Sequence, residues 1–212
     1  MQTKLFSSTL AISALVAINS AVAVTPPPPI ESPLPINTIK YSDRITTPPV
    51  DVSKITTPKK LICIGCNDYE NITLNFFQER GITDKYALAT LLGNIKQESM
   101  FIPNICEGGA RTSYEGCTAG GFGLIQFTSP SRYHGLGRFA KKINANPSMI
   151  YTQLQYIVTE SEWKSIENRL KTPGKPIERY MKYAFEWLGW GIKGPRESYA
   201  YDYSKRLVYS DL

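Results

Sequence analysis

Proline placement decides which parts of this chain can pack and which cannot. Nine of its fifteen prolines fall within residues 24–60, four of them consecutive at Pro26 to Pro29. Proline fixes φ and donates no hydrogen bond, so this stretch favours extended, solvated backbone over packed helix or sheet. The other six, Pro103, Pro130, Pro147, Pro173, Pro176 and Pro195, stand apart, each where an apolar period starts or stops. The pattern predicts a spacer over 24–60 and one domain over 61–212, a usual single-domain size.

Ahead of the spacer, Lys4 precedes an apolar run from Leu10 to Ile18, and the small-residue site Ala21-Val22-Ala23 follows. This is the pattern of an export signal over residues 1–23. The run is shorter than the roughly 20 residues a membrane span needs, which favours cleavage over retention as an anchor. No later stretch is apolar and long enough to cross a bilayer. The expectation is an exported protein, periplasmic or extracellular, with no stable membrane span once the signal is cleaved. Removing residues 1–23 takes away one Lys and no acid, which leaves 23 Lys+Arg against 18 Asp+Glu, or +5. The basic residues do not cluster, which argues against a nucleic-acid partner. A mild positive balance suits a polyanionic cell wall.

Within 61–212 the apolar spacing is helical. Asn67 or Asp68 is placed to cap a helix carrying Ile72, Phe76 and Phe77, with a stop at Gly81. Thr83 or Asp84 caps a second, with Leu88, Leu91, Leu92 and Ile95, ending before Pro103. Residues 103–121 read as loop, and Phe122 to Thr128 as a strand or buried loop. Ser129-Pro130 and Asn146-Pro147 are helix-start signals. The first opens a stripe of Tyr133, Leu136, Phe139 and Ile143, and the second one of Ile150, Leu154, Ile157 and Val158. Trp163, Ile166 and Leu170 continue that period. Pro176 opens an amphipathic helix with Ile177, Tyr180, Met181, Ala184, Phe185 and Leu188, and Pro195 a last one with Tyr199, Tyr203 and Leu207. The fold class expected is mainly α (α+β), with one small irregular or β lobe.

Four cysteines lie in the domain: Cys63, Cys66, Cys106 and Cys117. An even count behind an export signal reads as two disulfides. Cys106 with Cys117 closes a Gly-containing loop, worth roughly 3 kcal/mol by chain entropy, and Cys63 then pairs with Cys66; crossed pairing stays open. Cys63-x-x-Cys66 has a zinc-like spacing, but ten residues separate the second pair, a poor knuckle. A thiol-disulfide oxidoreductase would need a βαβ pattern around the motif, and none is present. His134 is the single histidine and has no nucleophile arrangement around it. No metal or cofactor is expected.

Glu98 is the residue placed for chemistry. Ala87, Leu91 and Glu98 lie on one line along the second helix, with Ile95 on the same side. A carboxyl at the edge of an apolar stripe, at a negative helix end, is disfavoured in its charged form. An acid kept protonated near neutral pH is what glycosidic cleavage needs, because the leaving oxygen must receive a proton. A solvated glutamate on the helix edge is the alternative that pattern alone leaves open.

The surrounding residues carry a resemblance. Gly93-Asn94-Ile95-Lys96-Gln97-Glu98-Ser99 with Phe101-Ile102-Pro103-Asn104, and then Gly121-Phe122-Gly123-Leu124-Ile125-Gln126-Phe127-Thr128, resemble the signature of the phage tail lysozyme family. The Glu-Ser and Gly-Leu-x-Gln elements also look like those of soluble lytic transglycosylases and goose-type lysozymes. The likeness begins near Asn75-Phe76-Phe77 and extends more weakly through Phe185-Glu186 and Arg196-Glu197-Ser198-Tyr199-Ala200. It implies a lysozyme-like fold, peptidoglycan as substrate and phage tail components as partners. It also implies Glu98 as general acid, Ser99 as a site residue beside it, and Gly123, Leu124 and Gln126 lining the sugar cleft. Gln126 reads equally as a buried amide tying the lobe together.

The second carboxylate stays open. No aspartate lies between Asp84 and Asp202, and the acids of the irregular lobe are Glu107 and Glu115. A two-carboxylate hydrolase needs one of them about 5 Å from Glu98 for retention, or roughly 6.5–9.5 Å for inversion. A lytic transglycosylase, by resemblance, needs neither. Glu186 is a further candidate by resemblance, with a helix-surface role as its alternative. Against all these enzymes stands a non-catalytic wall-binding or tail-structural module of the same fold, which would have no need of an acid at Glu98.

Overall fold

The computed structural model describes residues 59–118 and 120–210. The expected export signal over 1–23, and the expected 24–60 spacer except its last two residues, lie outside the described residues. The described residues form seven helices and two short strands: β1 (Leu61–Cys63), α1 (Asp68–Glu79), α2 (Lys85–Ser99), α3 (Pro130–Lys142), α4 (Ile150–Ile157), α5 (Ser161–Lys171), α6 (Ile177–Leu188), α7 (Arg196–Arg206) and β2 (Leu207–Tyr209). The architecture is mainly helical with a small antiparallel sheet, as the lysozyme-like α+β class requires.

Local chemistry explains the helix starts. At α1, the Asn67 side chain accepts from the Glu70 amide (3.0 Å) and Glu70 accepts from the Asn67 amide (2.6 Å), a reciprocal capping box. Asp84 caps α2 through the Tyr86 and Ala87 amides, and its second oxygen accepts from Gly174, tying α2 to the loop before α6. Ser129 caps α3, with Pro130 at its first position.

The second Asn-Pro signal behaves differently. Asn146 accepts from the Ser148 amide at 2.7 Å in a local turn, and α4 begins only at Ile150. Leu207, expected on the last helix, belongs to β2, where it pairs with Cys63. Phe122 to Thr128 forms no strand; it is a buried loop with one isolated bridge, Cys106 to Phe122. Ile143 and Phe185, expected on buried stripes, are exposed.

α2 is the centre of the core. Residues 87–95 are all buried, so this helix is covered on every side. α1, α6 and α7 pack against it, and α5 packs on α6. Trp163 of α5 stacks on Phe77 of α1 at 5.0 Å and meets Trp187 of α6 edge-on at 5.1 Å. The two strands pair antiparallel, Leu61 with Tyr209, Ile62 with Val208 and Cys63 with Leu207. A disulfide joins Cys63 to Cys66, and Arg206 donates to the carbonyls of Ile64 and Gly65 in the same turn. Buried Glu70 accepts from the Tyr203 hydroxyl, joining the start of α1 to α7.

α7 makes the most extensive contact with α2, and the two backbones come together at Gly93. A Cβ on Gly93 would lie 2.5 Å from the Ala200 amide nitrogen and 2.8 Å from the Arg196 carbonyl oxygen. A glycine inside a helix costs about 1 kcal/mol relative to alanine, and here it lets two backbones touch. Gly93→Ala should therefore force α7 outward and lower stability by about 1–3 kcal/mol despite its better helix propensity. Gly191→Ala, where an added Cβ meets nothing within 4 Å, should leave the thermal melt unchanged. Parallel melts of the two variants check this.

Candidate active site

The last turn of α2 ends at Ser99, and the chain leaves it through two left-handed residues, Met100 (φ 51°) and Phe101 (φ 63°). That reversal sends the backbone into the irregular lobe. A disulfide between Cys106 and Cys117 closes its first loop. The Tyr114 and Tyr133 rings stack at 4.3 Å, and their hydroxyls bond to each other's segments, locking the lobe onto α3.

The Gly121–Thr128 segment is fastened from behind by buried polar groups. Ser99 donates to the Leu124 carbonyl at 2.9 Å. Gln153 of α4, fully buried, accepts from the Leu124 amide at 2.8 Å and donates to the carbonyls of Pro103 (2.6 Å) and Pro147 (2.9 Å). One amide thus ties three loops. Gly123 has φ 72°, and a Cβ there would lie 2.4 Å from the Gln153 oxygen. Its glycine serves the contact with Gln153 as well as the turn.

In front of this wall lies an open cleft of about 830 Å3. One side is the end of α2, with Gln97 and Glu98; another is Ile125, Gln126, Thr128, Ser129 and Arg132. The third is the loop from Leu188 to Ile192, continued by Arg196. Glu107 stands at the rim and accepts from the Gly121 amide at 2.9 Å.

Glu98, Gln126 and Glu107 are therefore brought together on one cleft. Ser99, Gly123 and Leu124 are buried behind it, where they shape the wall and offer no open face. Glu115 is exposed on the lobe and does not line the cleft, and Glu186 is paired with Arg169 on the surface. Gln126, itself left-handed at φ 48°, donates to the Gly123 carbonyl at 3.0 Å, so it ties the loop while lining the cleft.

The charges of the site are paired across elements. Glu98 Oε1 lies 2.8 Å from a terminal guanidinium nitrogen of Arg196, and both side chains are largely buried. Burial pushes the Glu98 carboxyl above its ordinary value of 4.5; Arg196, by charge and hydrogen bond, and Arg132, by charge, oppose this and are outweighed. Arg132 holds Glu160 through two hydrogen bonds of 2.7 and 2.6 Å. Burial raises the Glu160 carboxyl too, against the pull of Arg132. Among the described residues, no group of three His, Cys, Asp or Glu is placed to hold a metal ion.

Sequence reasoning did not find Arg196, Gln153 or the Trp190 loop as parts of the site. The glycines at 189, 191 and 194 signal a loop between two helices, but nothing local indicates that it faces Glu98. The Arg196 pairing spans 98 positions, and no periodicity reports a contact of that range.

A family model for the phage tail lysozymes matches residues 68–202, from the first residue of α1 into α7. No curated protein matches the chain.

The wall generates a prediction. Gln153→Leu keeps the volume and removes both ends of the amide, leaving the Leu124 amide and two carbonyls unpaired in a buried place. Loss of about 1–3 kcal/mol is expected for each buried group left unsatisfied. Chemical denaturation should show that loss, and wall-cleaving activity should fall with it.

Proposed function

The chain belongs to the phage tail lysozyme family, and we propose that it cleaves the β-1,4 bond between the amino sugars of peptidoglycan with Glu98 as general acid. A lysozyme-like, wall-lytic role goes with the family. The finer reading is carried by one observation: a carboxyl on the cleft wall that burial holds above its ordinary pKa. Such a group keeps its proton at higher pH than a solvated glutamate and can give it to the leaving oxygen. Trp190 and Ile192 line the opposite side, and Ile192 is exposed. Apolar and aromatic faces in an open, otherwise polar cleft suit sugar rings, which present apolar faces and polar edges.

Glu98 and Glu107 are the two carboxylates among the residues lining the cleft. In a hydrolase Glu107 would serve as base or nucleophile. In a lytic transglycosylase the substrate's own hydroxyl takes that part. Reducing ends in the products identify the first, and anhydro-muramyl ends the second. A non-catalytic wall-binding module is disfavoured by the same buried acid, which binding does not require.

The proposal extends to the setting. Residues 1–23 act as an export signal, 24–60 as a spacer and 61–212 as the catalytic domain, in a protein working outside the cytoplasm with phage tail components as partners. Two disulfides fit an oxidising compartment. Among the described residues no helix is long and apolar enough to cross a membrane.

Glu98→Gln should abolish cleavage of purified walls. Because the folded carboxyl binds its proton more tightly than the unfolded one, its contribution to stability is complete below the unfolded value and is lost as pH rises through the folded one. At neutral pH the substitution should leave the melt unchanged or slightly higher, while wild-type activity declines as pH rises past the raised Glu98 pKa. Retained cleavage by Glu98→Gln would overturn the assignment.

A further inference from the structure

Arg196 is placed at a cost that stability does not explain. It is the first residue of α7, where the positive end of the helix disfavours a cation. It is 4 % exposed, and its Nε has no hydrogen-bond partner. The Trp190 ring covers its guanidinium, 4.7 Å from the centroid. Besides Glu98, it reaches the Asn94 carbonyl only at 3.4 Å. A buried pair of this kind often contributes less to stability than apolar residues of the same size. What the arrangement does provide is a fixed guanidinium nitrogen 2.8 Å from the carboxyl of Glu98.

Resting on the reading of Glu98 as the acid, we propose that Arg196 is a positioning residue of the reaction: it holds the Glu98 side chain against the cleft and receives the carboxylate that proton donation creates. The O–H bond of Glu98 breaks as its proton passes to the glycosidic oxygen. The bond between C1 and that oxygen breaks with its electron pair going to the oxygen. The negative charge left on Glu98 then lies beside Arg196, with no rearrangement needed to meet it. When water or a hydroxyl of the sugar adds at C1, the proton it loses returns to Glu98, or goes to Glu107 where that residue is the base and Glu98 regains a proton from solvent, and the pair is restored.

The other charges around Glu98 do not replace this one. Arg132, across the cleft on α3, is paired with Glu160 and acts on Glu98 by charge alone, with less effect than Arg196. Lys96, on α2 itself, lies over the Tyr199 and Tyr203 rings of α7. Glu107, at the rim, carries the wrong sign. Gly93 supplies the geometry, because the backbone contact of α7 at Arg196 and Ala200 sets how far the guanidinium reaches.

The experiment compares wild type, Arg196→Lys and Arg196→Gln in the full chain. Isotope-edited NMR follows the titration of the Glu98 carboxyl, and kcat and KM are measured on soluble wall fragments across pH. The Glu98 midpoint and the alkaline limb of kcat should both move to higher pH, further for Gln than for Lys, whose ammonium keeps the positive charge. The acid-side plateau of kcat should fall on the order of 10²-fold in Arg196→Gln and less in Arg196→Lys, as for loss of one preorganised donor. KM should change little. An unmoved Glu98 midpoint, or an acid-side kcat plateau that stays at the wild-type level, in either variant that folds overturns the proposal, since a merely structural ion pair would shift the titration and the melt and leave the plateau alone. Cleavage retained by Glu98→Gln would instead refute the acid assignment beneath it.

Discussion

The contact between α2 and α7 at Gly93 is the constraint on which the site depends. Two helix backbones touch there because no Cβ intervenes, and the touching residues on α7 are Arg196 and Ala200. Arg196 is thereby carried to the end of α2, one turn beyond Gly93, where Glu98 projects. Any side chain at 93 would force the helices apart, because its Cβ would sit 2.5 Å from the Ala200 nitrogen. The central helix, the ion pair and the third side of the cleft would then come apart together.

A second principle shapes the opposite side. The loop that carries Gln126 has no regular secondary structure, yet it is buried over most of its length. Part of its backbone bonds within the lobe, as Gly123 to the Ile105 carbonyl and Phe127 to the Phe122 carbonyl, and Leu124 is satisfied by side chains on helices: Ser99 at the end of α2 and Gln153 on α4. The lobe shares the domain's core through Phe122, Leu124 and Phe127 and is held further by a disulfide and a stacked tyrosine pair. A rigid rear and an open front are what a cleft for a long, polar substrate needs. The Glu-Ser pair divides these duties, with Glu98 facing the cleft and Ser99 facing inward to hold the loop.

Electrostatically, the cleft combines two opposing influences on one carboxyl. Burial raises its proton affinity, while the nearby guanidinium lowers it without reversing the result. An acid must both hold a proton and release it, and such a balance suits that double requirement. The pairing of Arg132 with Glu160 keeps the neighbouring cation from tipping it.

Local patterns were enough for the starts of α1, α2 and α3 and for the position of Glu98 near the end of α2. Caps at Asn67, Asp84 and Ser129 and apolar spacing act within a few residues, so the chain displays them directly. The placement of Glu98 at the edge of an apolar stripe is likewise visible, as are the Gly-rich words around it that carry the family likeness. Short-range signals failed where packing decided: Asn146-Pro147 makes a turn instead of a helix start, and Leu207 joins a strand because Cys63 lies beside it. The motif residues Ser99, Gly123 and Leu124 could be named as belonging to the site but not assigned to the rear of its wall. Arg196, Gln153 and Trp190 needed the tertiary structure. Each acts on a residue far along the chain, and the distance between such groups is set by how helices pack, which no local period encodes.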